Sequence, residues 1–272
     1  LHPANTLSLH DALPIFKQFT FPAGEVGIEI QYHPNADTVS SVEVIAHLKN
    51  SDDVMSLLLV SDAIDRKYTS TKKTLDLKYV PYARQDRVCN EGESLSTSVM
   101  TKLINSCKFS KVKIADPHSD VTPALINNCQ VLESYDILKN KNLESYYIVA
   151  PDAGAYKKAH KWAKEKNALG VITANKVRDV KTGQIVSVKV DADVTGLNLL
   201  VVDDIIEGGK TFTELAKCLQ GVNKLELFVT HGIFSKGTKE LTEAYDHIYT
   251  TNSFHGDVPE ELKDDKITWI ML

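Results

Sequence analysis

The chain has little of several things that would assign it quickly. It has four cysteines in 272 residues, Cys89, Cys107, Cys129 and Cys218, and no C-x-x-C pair. That excludes a disulfide-stapled scaffold or a cysteine zinc knuckle and predicts reduced, structural thiols in a cytosolic protein. It also lacks a basic excess: 31 Lys and Arg stand against 36 Asp and Glu, a net charge of -5. Nothing electrostatic therefore invites nucleic acid or an anionic membrane. No apolar run approaches the roughly 20 residues that cross a bilayer as a helix. What remains is a chain with 43% hydrophobic residues, enough for two sizeable cores, and a length that favours two domains.

The most informative stretch is Leu199 to Thr211, LLVVDDIIEGGKT. An apolar run enters two adjacent carboxylates, Asp203 and Asp204, then Ile206, Glu207, the glycine pair Gly208 and Gly209, Lys210 and Thr211. Phe212, Leu215, Ala216 and Leu219 recur at helical spacing, and Thr211 with Glu214 predicts a T-x-x-E capping box. Strand, loop and helix in this order suit a parallel sheet covered on both faces, which binds ligands at the carboxyl ends of its strands. Glycines let backbone approach a phosphate, and a helix start offers N–H groups to it. The aspartates cannot hold phosphate, so they serve hydroxyls or a metal; the combination suits a sugar phosphate. GGKT also matches the end of a Walker A loop, but Asp204 stands where that loop needs glycine.

Three more strands end in polar clusters. Leu75–Tyr82 leads into Arg84, Gln85 and Asp86; Val112–Ala115 leads into Asp116, Pro117 and His118; Tyr146–Ala150 leads into Asp152 and Gly154, with a helix from Tyr156. Arg84 offers a forked donor to phosphate, and Gln85 and Asp86 can read adenine edges or a ribose. Core helices are predicted over Asp53–Tyr68 and along a stripe of Leu95, Val99, Leu103 and Cys107. Residues 171–191 read as a hairpin around Lys-Thr-Gly-Gln, with Lys176 and Arg178 two apart on one strand face. At the start, FPAGEVGIEI reads as a Pro/Gly turn and a short strand.

The loop from Asp203 to Thr211 resembles that of type I phosphoribosyltransferases and of phosphoribosyl pyrophosphate (PRPP) synthetases, and YARQDR, DPH and PDAG resemble the synthetases specifically. The resemblance runs from Phe21 to about Phe254, where Thr251, Asn252 and Ser253 again match, and the chain beyond is shorter than is usual in that family. It implies an α/β fold of two similar type I phosphoribosyltransferase-like domains, each a mainly parallel sheet flanked by helices, expected at 17–134 and 135–272. Residues 1–16, LHPANTLSLHDALPIF, resemble translated sequencing-adapter text and are expected to be a non-native extension.

The implied activity is ribose-phosphate diphosphokinase, with ATP and ribose 5-phosphate as substrates, magnesium as cofactor, a cytoplasmic location and a homo-oligomeric (dimeric or hexameric) state. By the same resemblance, Phe21, Glu25, Arg84, Gln85, Asp86 and His118 contact ATP. Lys176 and Arg178 stabilise the transition state. Asp203, Asp204 and the 206–211 loop hold ribose 5-phosphate. His118, Asp152 and Asp116 hold or support magnesium, for which a water-bridged histidine serves as well as direct ligation. Pro22 and Ala23 replace the family's Ser and Asp, Ala155 replaces a Gly, and Glu207 replaces an Asp. An ordinary hairpin turn remains the alternative at Phe21, and solvent-facing charge the alternative for Lys176, Arg178 and Lys210. A phosphoribosyltransferase that uses PRPP, or a non-catalytic regulatory homologue, are the alternative functions.

Overall fold

The apolar runs between turn residues form parallel strands, and these assemble into two separate sheets in a computed structural model that describes residues 6–8, 16–31, 39–69, 71–178 and 185–272. One compact unit runs to Leu132 and takes in Ser253–Asp257; the other comprises Glu133–Asn252 and Val258–Leu272.

The first unit contains β1 (Thr6–Ser8), β2 (Phe16–Thr20), β3 (Val26–Ile30), β4 (Ser41–His47), α1 (Ser51–Lys67), β5 (Lys72–Tyr79), α2 (Ser96–Ser106), β6 (Val112–Ala115), α3 (Val121–Leu125) and β7 (Cys129–Leu132). Its sheet has the order β1-β4-β5-β6-β7, with β4 to β7 parallel and β1 antiparallel at the edge. Helix α1 starts where a capping box dictates. The Asn50 side chain accepts the N–H groups of Asp52 and Asp53 at 2.9 and 3.0 Å, while Asp53 accepts the Asn50 N–H at 3.3 Å. Such a cap is worth about 1 kcal/mol. The helix then lays Val54, Leu57, Val60 and Ile64 onto Leu75, Leu77 and Ile114 of the sheet.

In α2 the Leu95–Val99–Leu103 stripe is not the buried face. Met100 and Ile104, with Thr97 and Thr101, face the core, and Val99 and Leu103 are 55% and 36% exposed. The threonine hydroxyls make this possible because both are satisfied, Thr97 Oγ1 donating to Tyr82 O at 2.7 Å and Thr101 Oγ1 to Ser98 O at 3.2 Å. The Ser253–Asp257 segment is tied in by Ser253 O, 2.7 Å from His47 Nδ1, and by Phe254 edge-on to Tyr79.

The second unit contains α4 (Ser134–Ile137), β8 (Tyr146–Ala150), α5 (Tyr156–Glu165), β9 (Gly170–Arg178), β10 (Ile185–Val190), β11 (Asn198–Ile206), α6 (Lys210–Cys218), β12 (Lys224–Gly232), α7 (Lys239–Ala244), β13 (His247–Thr251), a single 3-10 turn and β14 (Ile267–Ile270). The sheet order is β10-β9-β8-β11-β12-β13-β14, all parallel except β10. Central β11 is apolar on both faces because both are covered. Leu199 and Val201 pack with Phe212, Leu215 and Leu219 of α6, whereas Leu200 and Val202 pack with Ala159 and Trp162 of α5. The β4–α1–β5 and β11–α6–β12 units repeat one arrangement, as the matching of LDLKYVPYARQD with LELFVTHGIFSK implies. Among the described residues no disulfide forms, and no helix is long and apolar enough to cross a membrane.

Candidate active site

In the second unit, β11 outruns β8: their pairing ends at Val201–Val149, while β11 continues beside β12 to Ile206–Gly232. Asp203 and Asp204 lie on this overhang, with Asp204 5% exposed. Burial, then the neighbouring Asp204 charge and a hydrogen bond to its side chain, push the Asp203 carboxyl well above the usual carboxylate range. Lys158 of α5 and the Asp204 N–H, which donates to Asp203 Oδ1 at 2.9 Å, pull the other way. A buried carboxyl pair of this kind offers hydrogen-bonding oxygens to vicinal hydroxyls.

The chain then turns. Gly209 adopts the left-handed region at φ 79, and α6 begins at Lys210. The predicted Thr211–Glu214 capping box is absent: Gly209 is the cap, with no side-chain cap bond, and Thr211 already lies inside the first turn. Only a residue without Cβ adopts this φ at no cost, so the glycine's conformation starts the helix two residues earlier than a threonine cap would. The N–H groups of Gly208, Gly209, Lys210 and Thr211 donate to no acceptor among the described residues. Together with the positive end of α6 they form an anion nest immediately after the acidic pair. Lys210 and Glu207 are exposed beside it.

A second loop buttresses this one. Ile233 N–H donates to Ile206 O at 2.9 Å and Ser235 N–H to Glu207 O at 2.8 Å. Sequence reasoning missed this support and missed Lys158, which α5 brings close enough to act on Asp203. The parallel β11–β12 register was the available signal, since it places the segments after both strands side by side.

Asp152 closes β8. Its Oδ1 accepts the N–H groups of Gly154 and Ala155 at 2.9 and 3.1 Å, which fixes the carboxylate and starts the path into α5. Ala155 is buried and sits at the helix cap with an ordinary right-handed backbone, so the family's glycine is not required by conformation here.

In the first unit, Arg84, Gln85 and Asp86 form a turn after β5, which ends at Tyr79 and not at Tyr82. Tyr82 leaves the strand with φ 64. The turn is braced by the start of α2. Ser96 Oγ donates to Gln85 Oε1 at 2.5 Å, and Thr97 N–H to Gln85 O at 3.2 Å. Arg84 and Gln85 are exposed, while Asp86 is half-buried. Asp116 is buried at φ 35 directly after β6, its N–H donating to Leu132 O at 2.9 Å, and His118 is exposed two residues on. Phe21 and Glu25 close the β2–β3 hairpin, Gly24 N–H donating to Phe21 O and Phe21 N–H to Glu25 O, both at 2.8 Å. The Phe21 ring is 49% exposed and stands edge-on to Phe19.

Lys176 and Arg178 fall in β9, their backbones opposite Val188 and Ile185 of β10; their side chains, and the turn at 181–184, lie outside the described residues. Among the described residues no three of His, Cys, Asp or Glu form a metal cage. Asp152, a single fixed carboxylate, nonetheless fits magnesium, a cation that keeps several waters and takes its other ligands from phosphates.

No family model matches the chain. It is 28% identical over 265 residues to the ribose-phosphate pyrophosphokinase of Pyrococcus abyssi, covering 94% of this chain and 90% of that protein. The proteins of the same name from Thermococcus kodakarensis and Gloeobacter violaceus are 29% and 30% identical over 241 and 225 residues, covering 86% and 79% of this chain and 83% and 66% of theirs. The fold is similar to the crystal structure of phosphoribosylpyrophosphate synthetase from Mycobacterium smegmatis, with a TM-score of 0.80 at 21% identity over 96% of this chain and 87% of that one.

Proposed function

The chain is a divergent member of the ribose-phosphate pyrophosphokinase family, and from that premise we propose that it transfers the β,γ-diphosphoryl group of Mg-ATP to the 1-hydroxyl of ribose 5-phosphate, giving PRPP and AMP. The observation that carries this reading is the acidic pair followed at once by four N–H groups that meet no acceptor among the described residues, which suits a molecule with vicinal hydroxyls at one end and a phosphate at the other.

Asp203 and Asp204 orient the ribose 2- and 3-hydroxyls. The backbone of 206–211 cradles the 5-phosphate, with Lys210 alongside. Arg84 holds ATP phosphates, Gln85 and Asp86 read the nucleoside, and Phe21 and Glu25 contribute a ring face and a carboxylate to adenine recognition. The anomeric oxygen attacks the β-phosphorus in line. A new O–Pβ bond forms as the Pβ–O bond to the α-phosphate breaks, the electron pair leaves with AMP, and the hydroxyl proton passes to water. No enzyme nucleophile is needed, because transfer of this kind rests on positioning and charge neutralisation. Lys176 and Arg178 neutralise charge shifting toward AMP, a role worth roughly 10³-fold or more for a transition-state arginine. Asp152 would hold magnesium, with His118 and Asp116 in support, and the metal would supply charge neutralisation to the ATP phosphates. A homo-oligomer, dimer or hexamer, working in the cytoplasm completes the reading.

The test is to incubate the chain from residue 17 onward, and the full chain beside it, with ATP, magnesium and ribose 5-phosphate, and to resolve the products. AMP formed only with ribose 5-phosphate, equimolar with PRPP, is the expected result. ADP, or no turnover in either chain despite ribose 5-phosphate binding, overturns the assignment in favour of another transferase or a regulatory homologue.

A further inference from the structure

One cation near the nest belongs to a different segment of chain. β12 ends at Gly232, opposite Ile206, so the turn that follows it runs beside the Glu207–Gly209 turn. That turn is well fixed. It carries the two backbone bonds to Ile206 and Glu207, a buried Phe234 at φ 52, and Gly237 at φ 76, whose N–H donates to Phe234 O at 2.8 Å. It lays Lys236 across Gly208. The Cγ, Cδ and Cε atoms of Lys236 lie 3.7, 3.5 and 3.6 Å from the point where a Cβ on Gly208 would stand. The aliphatic stem thus runs along the side on which Gly208 lacks a side chain, and the ammonium, one bond of about 1.5 Å beyond Cε, lies within about 5 Å of that point. Lys236 is exposed and makes no ion pair among the described residues. The nest also sits among Asp203, Asp204 and Glu207, so a dianion entering it needs more positive charge than Lys210 and the helix end supply.

We propose that Lys236 is a substrate-binding residue that closes its ammonium over the 5-phosphate opposite Lys210, and so makes the site select a phosphorylated sugar over the free sugar. This rests on the reading of the Asp203–Thr211 loop as the ribose 5-phosphate site. A lysine on a flexible stem acts here as a movable point charge, the gap at Gly208 giving it its path.

The test uses the full chain, its Lys236→Ala and Lys236→Arg variants, and steady-state rates at saturating Mg-ATP with ribose 5-phosphate or ribose varied. Lys236→Ala is expected to raise the ribose 5-phosphate KM about 10-fold or more, the scale of one lost charge-assisted hydrogen bond. It leaves the ATP KM within about twofold and narrows the preference for ribose 5-phosphate over ribose. Lys236→Arg recovers most of the loss. A ribose 5-phosphate KM within twofold of the parent, or an equal rise in the ATP KM, overturns the role of Lys236 while leaving the sugar-phosphate reading intact. No ribose 5-phosphate-dependent AMP from the parent chain overturns both.

Discussion

Replacing Gly209 with alanine should cost far more than the same change at Gly208, although the two are neighbours in one loop. Gly209 holds φ 79, and a Cβ there would stand 3.1, 3.3 and 3.4 Å from Cδ1, Cγ and Cδ2 of Leu241, which is itself 3% exposed within the α6–α7 core. The left-handed backbone costs a residue with Cβ about 1–2 kcal/mol, and crowding a packed leucine adds about 1–2 kcal/mol more. The sum, about 2–4 kcal/mol, corresponds at roughly 3 °C per kcal/mol to a midpoint lowered by about 6–12 °C. At Gly208 the nearest atom is Lys236 Cδ at 3.5 Å, an ordinary contact with a flexible side chain, and φ is not positive. That change should cost about 0.5 kcal/mol or less. Thermal unfolding followed by circular dichroism, with and without ribose 5-phosphate, measures both. In Gly209→Ala the stabilisation given by ribose 5-phosphate should also shrink, because the αL residue aims the N–H groups of the nest. Equal midpoints for the two variants would refute the argument that Gly209 is held by conformation and packing.

Lys210→Ala should raise the ribose 5-phosphate KM with little change in folding; an unchanged KM would return Lys210 to solvent. Asp203→Asn should abolish ribose 5-phosphate turnover yet raise the melting midpoint at pH 8. The raised Asp203 pKa means that the folded state binds a proton more tightly than the unfolded chain. The parent is therefore destabilised above the folded-state pKa and relieved as pH falls through it. The advantage of the variant should shrink between pH 8 and pH 4, and an advantage that is constant with pH would show that the carboxyl is not perturbed. Ser134→Ala should cost about 1–3 kcal/mol, measured by urea unfolding. Its hydroxyl accepts the Trp162 indole N–H at 2.8 Å, and Trp162 is 0% exposed, so the variant buries an unpaired donor. Ser96→Ala should loosen Gln85 and raise the ATP KM several-fold while leaving the ribose 5-phosphate KM alone, because the two loops belong to different folding units.

What could be read from the sequence divides along a physical line. Where a strand runs continuously apolar into a polar cluster, as at Ala115–Asp116 and Ala150–Pro151, the strand end is visible because the apolar run stops there, whereas β11 continues past Asp203 to Ile206. The same logic reads α6, whose Phe212, Leu215, Ala216 and Leu219 are all buried. Three kinds of information were not visible. Backbone conformation overruled side-chain chemistry at Gly209, where the αL cap pre-empted Thr211, and in the turn after Tyr79, where Tyr82 takes φ 64 instead of continuing β5. Threonine ambiguity hid the buried face of α2, since Thr97 and Thr101 count as polar in a pattern yet pack by their methyls once their hydroxyls are satisfied. Residues that meet only through sheet register form the third and largest loss. Lys236 is far from Gly208 along the chain, and nothing in its own neighbourhood marks it. Only the parallel pairing of Ile206 with Gly232 sets its stem against the nest. In a parallel sheet the residue after one strand acts at the site built by its neighbour. Cations in the turn after the second strand of a β–α–β unit therefore belong among the site residues of the first, and a pattern search confined to one loop passes over them.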